Sequence, residues 1–303
     1  MAVSTTVLSN GITVITEKSD YPSNVHMGIL LNVGSRDETA ETSGSCLALK
    51  NTYLKTLKHT NETLNYGMTQ MAGSDTKMDY DEETMFYSTY AFDYDVTDMF
   101  RMLCDMAFEP RSIMNANVAK DKNRQFFELQ HHLAHYNPFA NNPQNLLTTA
   151  YGYNTLGMPK WGFESSVNNI DAKMLQDFQL ANITPNRVIV TANGVKNHQE
   201  FVDLVKYYLG ALNPVRESGF DRTPSNYIGG EYRTFTETPE TNIILGYESV
   251  SWNHRLMPAF ALMHTIFGSA QGFSVGGPGK GMLNRACNNS NSNLSSLEKK
   301  ILC

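Results

Sequence analysis

The chain has 303 residues, 41% hydrophobic and 18% charged, with a formal net charge of -6, a balance that suits a folded protein with sizeable cores and room for two domains. The acidic excess without clustered Lys or Arg argues against a nucleic-acid surface, and no run of about eighteen apolar residues offers a direct membrane span. Cys46, Cys104, Cys287 and Cys303 are widely spaced and form no C-x-x-C pair, which suggests neither a zinc knuckle nor a disulfide framework and points to a reducing compartment.

Met1 to Val7 lacks the Arg-rich amphipathic pattern of a mitochondrial presequence, so such a signal is expected to have been removed or never to have been there. Thr5 to Thr16 reads as two β segments around an Asn10-Gly11 turn, and Asn24 to Val33 as a buried strand ended by Gly34. Leu47, Leu49, Tyr53, Leu54 and Leu57 recur at helical spacing, which predicts a helix over Thr42 to Leu57 with Thr42 or Ser43 as N-cap. A second helix is predicted over Glu62 to Met71, then strands around Ser74 to Asp79 and Thr84 to Phe92. Val96, Met99, Phe100, Leu103, Cys104 and Ala107 step by three and four and mark the core face of the next helix. Helical patterns continue over Ser112 to His135, Asn141 to Tyr151 and Asp171 to Leu180, followed by an apolar strand at Arg187 to Ala192 and a helix at Gln199 to Leu209.

Residues 1–210 are thus expected to form one α+β unit. Leu212 to Gly230 carries Pro214, Pro224, Ser218, Ser225 and three glycines without sustained periodicity, so 211–230 reads as an interdomain linker. After it Tyr232 to Phe235 and Asn242 to Tyr247 look like strands and Pro258 to Phe267 like a helix, echoing the order in which the first unit starts. This second unit is expected over 231–285, and the polar low-complexity tail at 286–303 is expected to be disordered.

Five glycines fall in the eleven residues Gly272 to Met282, more than a helix or strand can use. A phosphate cradle would place Ser or Thr directly after Lys280, where Gly281 stands, so the nucleotide reading fails. A bland linker would be richer in Ser and would lack Phe273, Val275 and the Pro278-Gly279 turn. Gly276-Gly-Pro-Gly-Lys-Gly-Met282, preceded by a strand and a helix, resembles the glycine-rich loop of α-type subunits of mitochondrial processing peptidases. These belong to the pitrilysin-type family of inverted-motif zinc peptidases, together with the core proteins of respiratory complex III.

Active members of that family carry H-x-x-E-H on one helix: two imidazoles at i and i+4 bind zinc, the Glu is general base toward the metal-bound water, and a distal Glu completes the ligands. The motif follows a Gly-Ser-Arg-x-Glu turn, which stands here as Gly34-Ser35-Arg36-Asp37-Glu38 and leads into Gly44-Ser-Cys-Leu-Ala-Leu-Lys-Asn51. By this resemblance the three functional positions fall on Leu47, Lys50 and Asn51, and the distal acid on Glu128 with Asp121 as a second carboxylate. Leucine has no lone pair, lysine puts a cation where a base belongs, and asparagine is a poor zinc ligand, so the metal site is degenerate. Most Asp and Glu residues are simply exposed, which favours reading Glu128 and Asp121 as solvated or capping acids.

The remaining candidates are weaker. His131 and His135 share a helical face, with no acid between them to act as a base. Asp79, Asp81, Glu82 and Glu83 could attract a basic peptide but sit where a turn between two strands is predicted. Nothing suggests a Ser-His or Cys-His nucleophile, and the fifteen Tyr, fifteen Phe and fifteen Met residues read as core.

What the resemblance implies is an α+β fold of two related α/β-sandwich halves, the second incomplete, and a chain that is itself inactive. Gly272, Phe273, Gly276, Gly277, Gly279, Lys280 and Gly281 would contact basic presequence peptides, with no cofactor on this chain and zinc on a β-type processing peptidase (core 1) partner. The assembly would stand on the matrix side of the mitochondrial inner membrane among other complex III subunits. The alternative is a purely structural core subunit of the cytochrome bc1 complex.

Overall fold

A computed structural model describes residues 3–19, 24–54, 56, 76–109, 116–136, 142–212, 222–235 and 244–267. The predicted helix at 62–71, the glycine-rich stretch at 272–282 and the polar tail lie outside the described residues. The chain divides into two compact units, one of residues 1–128 and 153–225, the other of residues 129–152 and 226–303.

The first unit is built on one six-stranded sheet. Its strands are β1 (Val3–Val7), β2 (Thr13–Lys18), β3 (Asn24–Leu31), β4 (Lys77–Tyr80), β5 (Met85–Phe92) and β6 (Val188–Val195), in the order β1-β2-β6-β3-β5-β4. All neighbours pair antiparallel except β2 and β6, which run parallel. The Asn10-Gly11 turn joins β1 to β2, with Gly11 at a φ of 100° that favours glycine. β6 enters between β2 and β3, so the sheet closes only when the chain has reached Val195.

Alternation decides which face is covered. Val25, Met27, Ile29 and Leu31 of β3 point one way and are buried together with Val14, Tyr87, Ala91, Val190 and Ala192. Against them lie the apolar stripes of two helices, α2 (Val96–Phe108) and α7 (His198–Leu209), which meet where Phe100 sets its edge against Phe201 at 5.4 Å. The unit is completed by α1 (Ser45–Thr52), much of the long α3 (Ala116–Tyr136), the single turn α5 (Glu164–Val167) and α6 (Ala172–Asn182). Every strand and helix predicted within the described part of this unit is present, with ends moved by a few residues. The start of α1 shifts from Thr42 to Ser45 because Gly44, at a φ of 94°, stands as its left-handed N-cap.

In the second unit α4 (Asn142–Tyr151) runs beside extended chain. Ile228 donates its backbone N–H to Ala150 O at 2.8 Å, the Tyr151 and Tyr227 rings meet edge-on at 6.0 Å, and Gly246 lies against Leu146. The later helix is α8 (Met257–Phe267), close to its predicted span. The two predicted strands are corrected: residues 232–235 and 244–247 have no regular secondary structure, and Phe235 and Tyr247 are fully or largely exposed. Strand-forming residues make a strand only beside another strand's edge, and no such edge faces these segments among the described residues.

Candidate functional site

The site begins at the turn after β3. Ser35 to Asp37 form one tight helical turn in which Gly34 donates its N–H to Asp37 Oδ2 at 3.0 Å. A side chain on Gly34 would run into the Glu82-Glu83 backbone, so only glycine lets the turn close against the β4–β5 connection. Charges then fix it. The Arg187 guanidinium, buried just before β6, reaches Asp37 Oδ1 at 2.7 Å, and Arg222 approaches Asp37 Oδ2 at 3.4 Å while donating to Asn32 O at 3.0 Å. Arg36 pairs with Glu83 and donates to Thr223 O at 2.7 Å.

Glu38 leaves this turn pointing inward. Its Oε2 accepts the Gly44 N–H and its Oε1 the Cys46 N–H, both at 2.8 Å, so one carboxylate satisfies two unpaired donors at the start of α1. Burial pushes the Glu38 carboxyl up to about 7 in spite of those bonds, and burial likewise pushes the Cys46 thiol up. Gly162 closes over Gly44 so tightly that a Cβ on Gly162 would stand 2.9 Å from Gly44 Cα.

Thus anchored, α1 carries Leu47, Lys50 and Asn51, the positions on which the sequence resemblance places the zinc motif. Leu47 is 1% exposed and belongs to the hydrophobic core. Lys50 extends the other way: its Nζ is 2.7 Å from Asp79 Oδ1 and 5.5 Å from the centre of the Tyr80 ring. The hydrogen bond from Lys50 holds the Asp79 carboxyl below its ordinary value. Lys160 lies 5.4 Å from the same ring, and the Tyr80 hydroxyl donates to Lys160 O at 2.7 Å. Asn51 donates from Nδ2 to Asn123 Oδ1 at 2.8 Å, Asn123 donates from Nδ2 to Gly44 O at 3.0 Å, and Lys122 donates to Asn51 O at 2.7 Å.

Asparagine 123 and its neighbour Lys122 were not singled out from the sequence. A signal existed: on α3 the buried position Asn123 follows buried Ala119 by four residues, a polar side chain on an otherwise inward stripe. Glu128 and Asp121, by contrast, are exposed on α3. The helix also carries His131 and His135, whose side chains lie outside the described residues. Asp81 accepts the Glu83 and Thr84 N–H groups at 2.7 and 2.6 Å, so the acidic group at 79–83 includes the turn between β4 and β5. Gly272, Phe273, Gly276, Gly277, Gly279, Lys280 and Gly281 lie outside the described residues.

The donor set does not fit a zinc ion. Leu47 offers nothing, Lys50 is a cation, and the Asn51 amide is committed to Asn123. Among the described residues no three His, Cys, Asp or Glu side chains stand close enough together to hold a metal. What the arrangement does is join α1 to α3: the Asn51–Asn123 amide pair and two bonds to backbone carbonyls link the two helices.

Two family models match the chain, the insulinase model of peptidase family M16 over residues 13–162 and the peptidase M16 inactive domain over residues 169–292. A probable mitochondrial-processing peptidase subunit alpha-2 of Arabidopsis thaliana is 28% identical over 283 residues, covering 92% of this chain and 54% of that protein. The human mitochondrial-processing peptidase subunit alpha is 27% identical over 301 residues, covering 92% and 56%. A probable beta subunit of Schizosaccharomyces pombe is 25% identical over 272 residues, covering 88% and 58%. The chain therefore spans about half the length of the curated relatives it matches. The crystal structure of a protease from Helicobacter pylori superposes with a TM-score of 0.62 at 17% identity, covering 75% of this chain and 54% of that one, a likeness of fold. The chain belongs to peptidase family M16.

Proposed function

We propose that this M16 chain acts as a non-catalytic α-type subunit of a mitochondrial processing peptidase, holding presequences for cleavage by a zinc-bearing β-type partner. The observation that carries the reading is the fate of the motif positions on α1: Leu47 in the core, Lys50 paired with Asp79, Asn51 bonded to Asn123. A zinc-bound water needs imidazoles and a carboxylate base at those places, so hydrolysis falls to the partner. Likeness to alpha subunits and also to beta subunits supports an assembly of two related chains.

Recognition would rest on two features. Presequences are basic amphipathic segments, which the formal charge of -6 favours electrostatically. The stretch containing Gly276, Gly277, Gly279, Lys280 and Gly281 gives a backbone that accommodates varied sequences, with Gly272, Phe273 and Val275 beside it for closer and apolar contact. The assembly would work at the matrix face of the inner membrane, within complex III. No helix among the described residues is long and apolar enough to cross a membrane.

The test is reconstitution with a β-type subunit that carries an intact H-x-x-E-H. The expected result is presequence cleavage that needs both chains and falls when Gly276, Gly277 and Gly279 are all replaced by Ala, with zinc content unchanged. Normal cleavage by that triple variant would remove the loop from recognition. A stable complex that never cleaves would leave only a structural subunit.

A further inference from the structure

Among the described residues the sheet ends at β1 and β4, and these two edges are guarded unequally. At one edge, β4 shows exposed Lys77 and Asp79, the latter paired with Lys50, and it runs directly into the acidic turn at 81–83. At the other, β1 reads Val3-Ser4-Thr5-Thr6-Val7, with no charge, no proline and no shift of register in its pairing with β2. Those are the devices by which edge strands refuse a further neighbour, and β1 has none of them. Val3 and Val7 are 67% and 64% exposed. The strand is nonetheless held in place: Thr6 Oγ1 and Thr16 Oγ1 each lie 2.8 Å from a ring nitrogen of His198, the first residue of α7. This ties β1 and β2 together under the helix layer.

The strand is also close to its own complement. If two copies pair antiparallel about a dyad through Thr5, Val3 stands opposite Val7, Ser4 opposite Thr6, and Thr5 opposite Thr5. Directly opposed residues in an antiparallel pair share a face, so Val3, Thr5 and Val7 of both copies fall in one β-branched row on the side away from His198. No like charges meet at any position of the strand. We propose that β1 is a homodimerisation edge, pairing with β1 of a second copy so that two six-stranded sheets become one across a twofold axis. The proposal is independent of the peptidase reading.

Sedimentation equilibrium of the full chain and of two variants, Thr5→Lys and Thr5→Glu, tests it. Thr5 is exposed, so both variants are expected to keep the wild-type circular dichroism spectrum. The wild type is expected to dimerise, and each variant, which sets like charges face to face at the dyad, to do so about tenfold more weakly or not at all. An equimolar mixture of the two should regain the dimer, because Lys then faces Glu. A monomeric wild type, a variant that dimerises alone as tightly as wild type, or a mixture that fails to recover would each overturn the proposal.

Discussion

The turn that supports α1 and the three positions that α1 presents make an instructive contrast. At the supporting end the pattern Gly34-Ser-Arg-Asp-Glu38 is intact, and every charged group in it has a partner: Asp37 with Arg187 and Arg222, Arg36 with Glu83, Glu38 with two backbone N–H groups. At the presenting end Leu47, Lys50 and Asn51 hold neither ligand nor base, and are absorbed by the core, by Asp79 and by Asn123. The turn is braced at each of its charged groups, while the three positions on α1 are taken up by packing and by ordinary polar pairs. The support therefore matters to stability, and the presented groups should matter much less.

Arg187 offers the strongest way to break that contrast. Its burial opposes its charge and Asp37 offsets the effect, so Arg187→Met leaves Asp37 short of its closest cation and should cost about 3–5 kcal/mol in urea denaturation. A loss below about 1 kcal/mol would mean that Arg222 alone holds the turn.

Glu38 comes next and gives a pH signature. Its carboxyl lies at about 7 in the folded protein against 4.5 ordinarily, so between those values the folded state keeps a proton that the unfolded state has released. The group's contribution is fully favourable below 4.5, falls as pH rises through the window and is flat above 7. The decline should be about 3 kcal/mol across the window, and Glu38→Gln should flatten it. Chemical denaturation at several pH values measures both, and an unchanged slope in the variant would assign the decline to another group.

At the presenting end the effects shrink. Asn51→Ala strands the buried Asn123 amide and should cost about 1–3 kcal/mol. A double-mutant cycle with Asn123→Ala should return a coupling of about 0.5–2 kcal/mol, and a coupling near zero would mean that the amide pair does not link the helices. Smallest of all is Lys50→Met, because Asp79 is 78% exposed and such pairs are worth under about 1 kcal/mol. A larger loss would give Lys50 a structural part that the contrast denies it.

Much of the first unit was legible because its signals are local. Alternation in Asn24–Leu31 and Met85–Phe92, and steps of three and four in Val96–Phe108, depend only on neighbours a few residues away. The insertion of β6 between β2 and β3 has no local sign, since it is fixed by pairing across the whole unit. The same limit hid Arg222, whose bond to Asn32 O spans 190 residues from inside a segment that reads as a linker, and Asn123, whose partner is 72 residues away. Residues 232–235 and 244–247 failed in the opposite sense: they carry strand-forming side chains but lack a neighbouring edge among the described residues. At the site, the residue types of Leu47, Lys50 and Asn51 could be read directly, whereas their partners, the core, Asp79 and Asn123 respectively, could not.

Metal analysis of the purified chain, alone and in complex with a β-type subunit, is the most direct test of the claim that the three positions on α1 hold no metal centre. The account predicts no stoichiometric zinc on the isolated chain and one zinc in the two-chain complex, lost when the partner's motif is altered. One zinc per isolated chain, abolished by Asn51→Ala or Asn123→Ala, would contradict it.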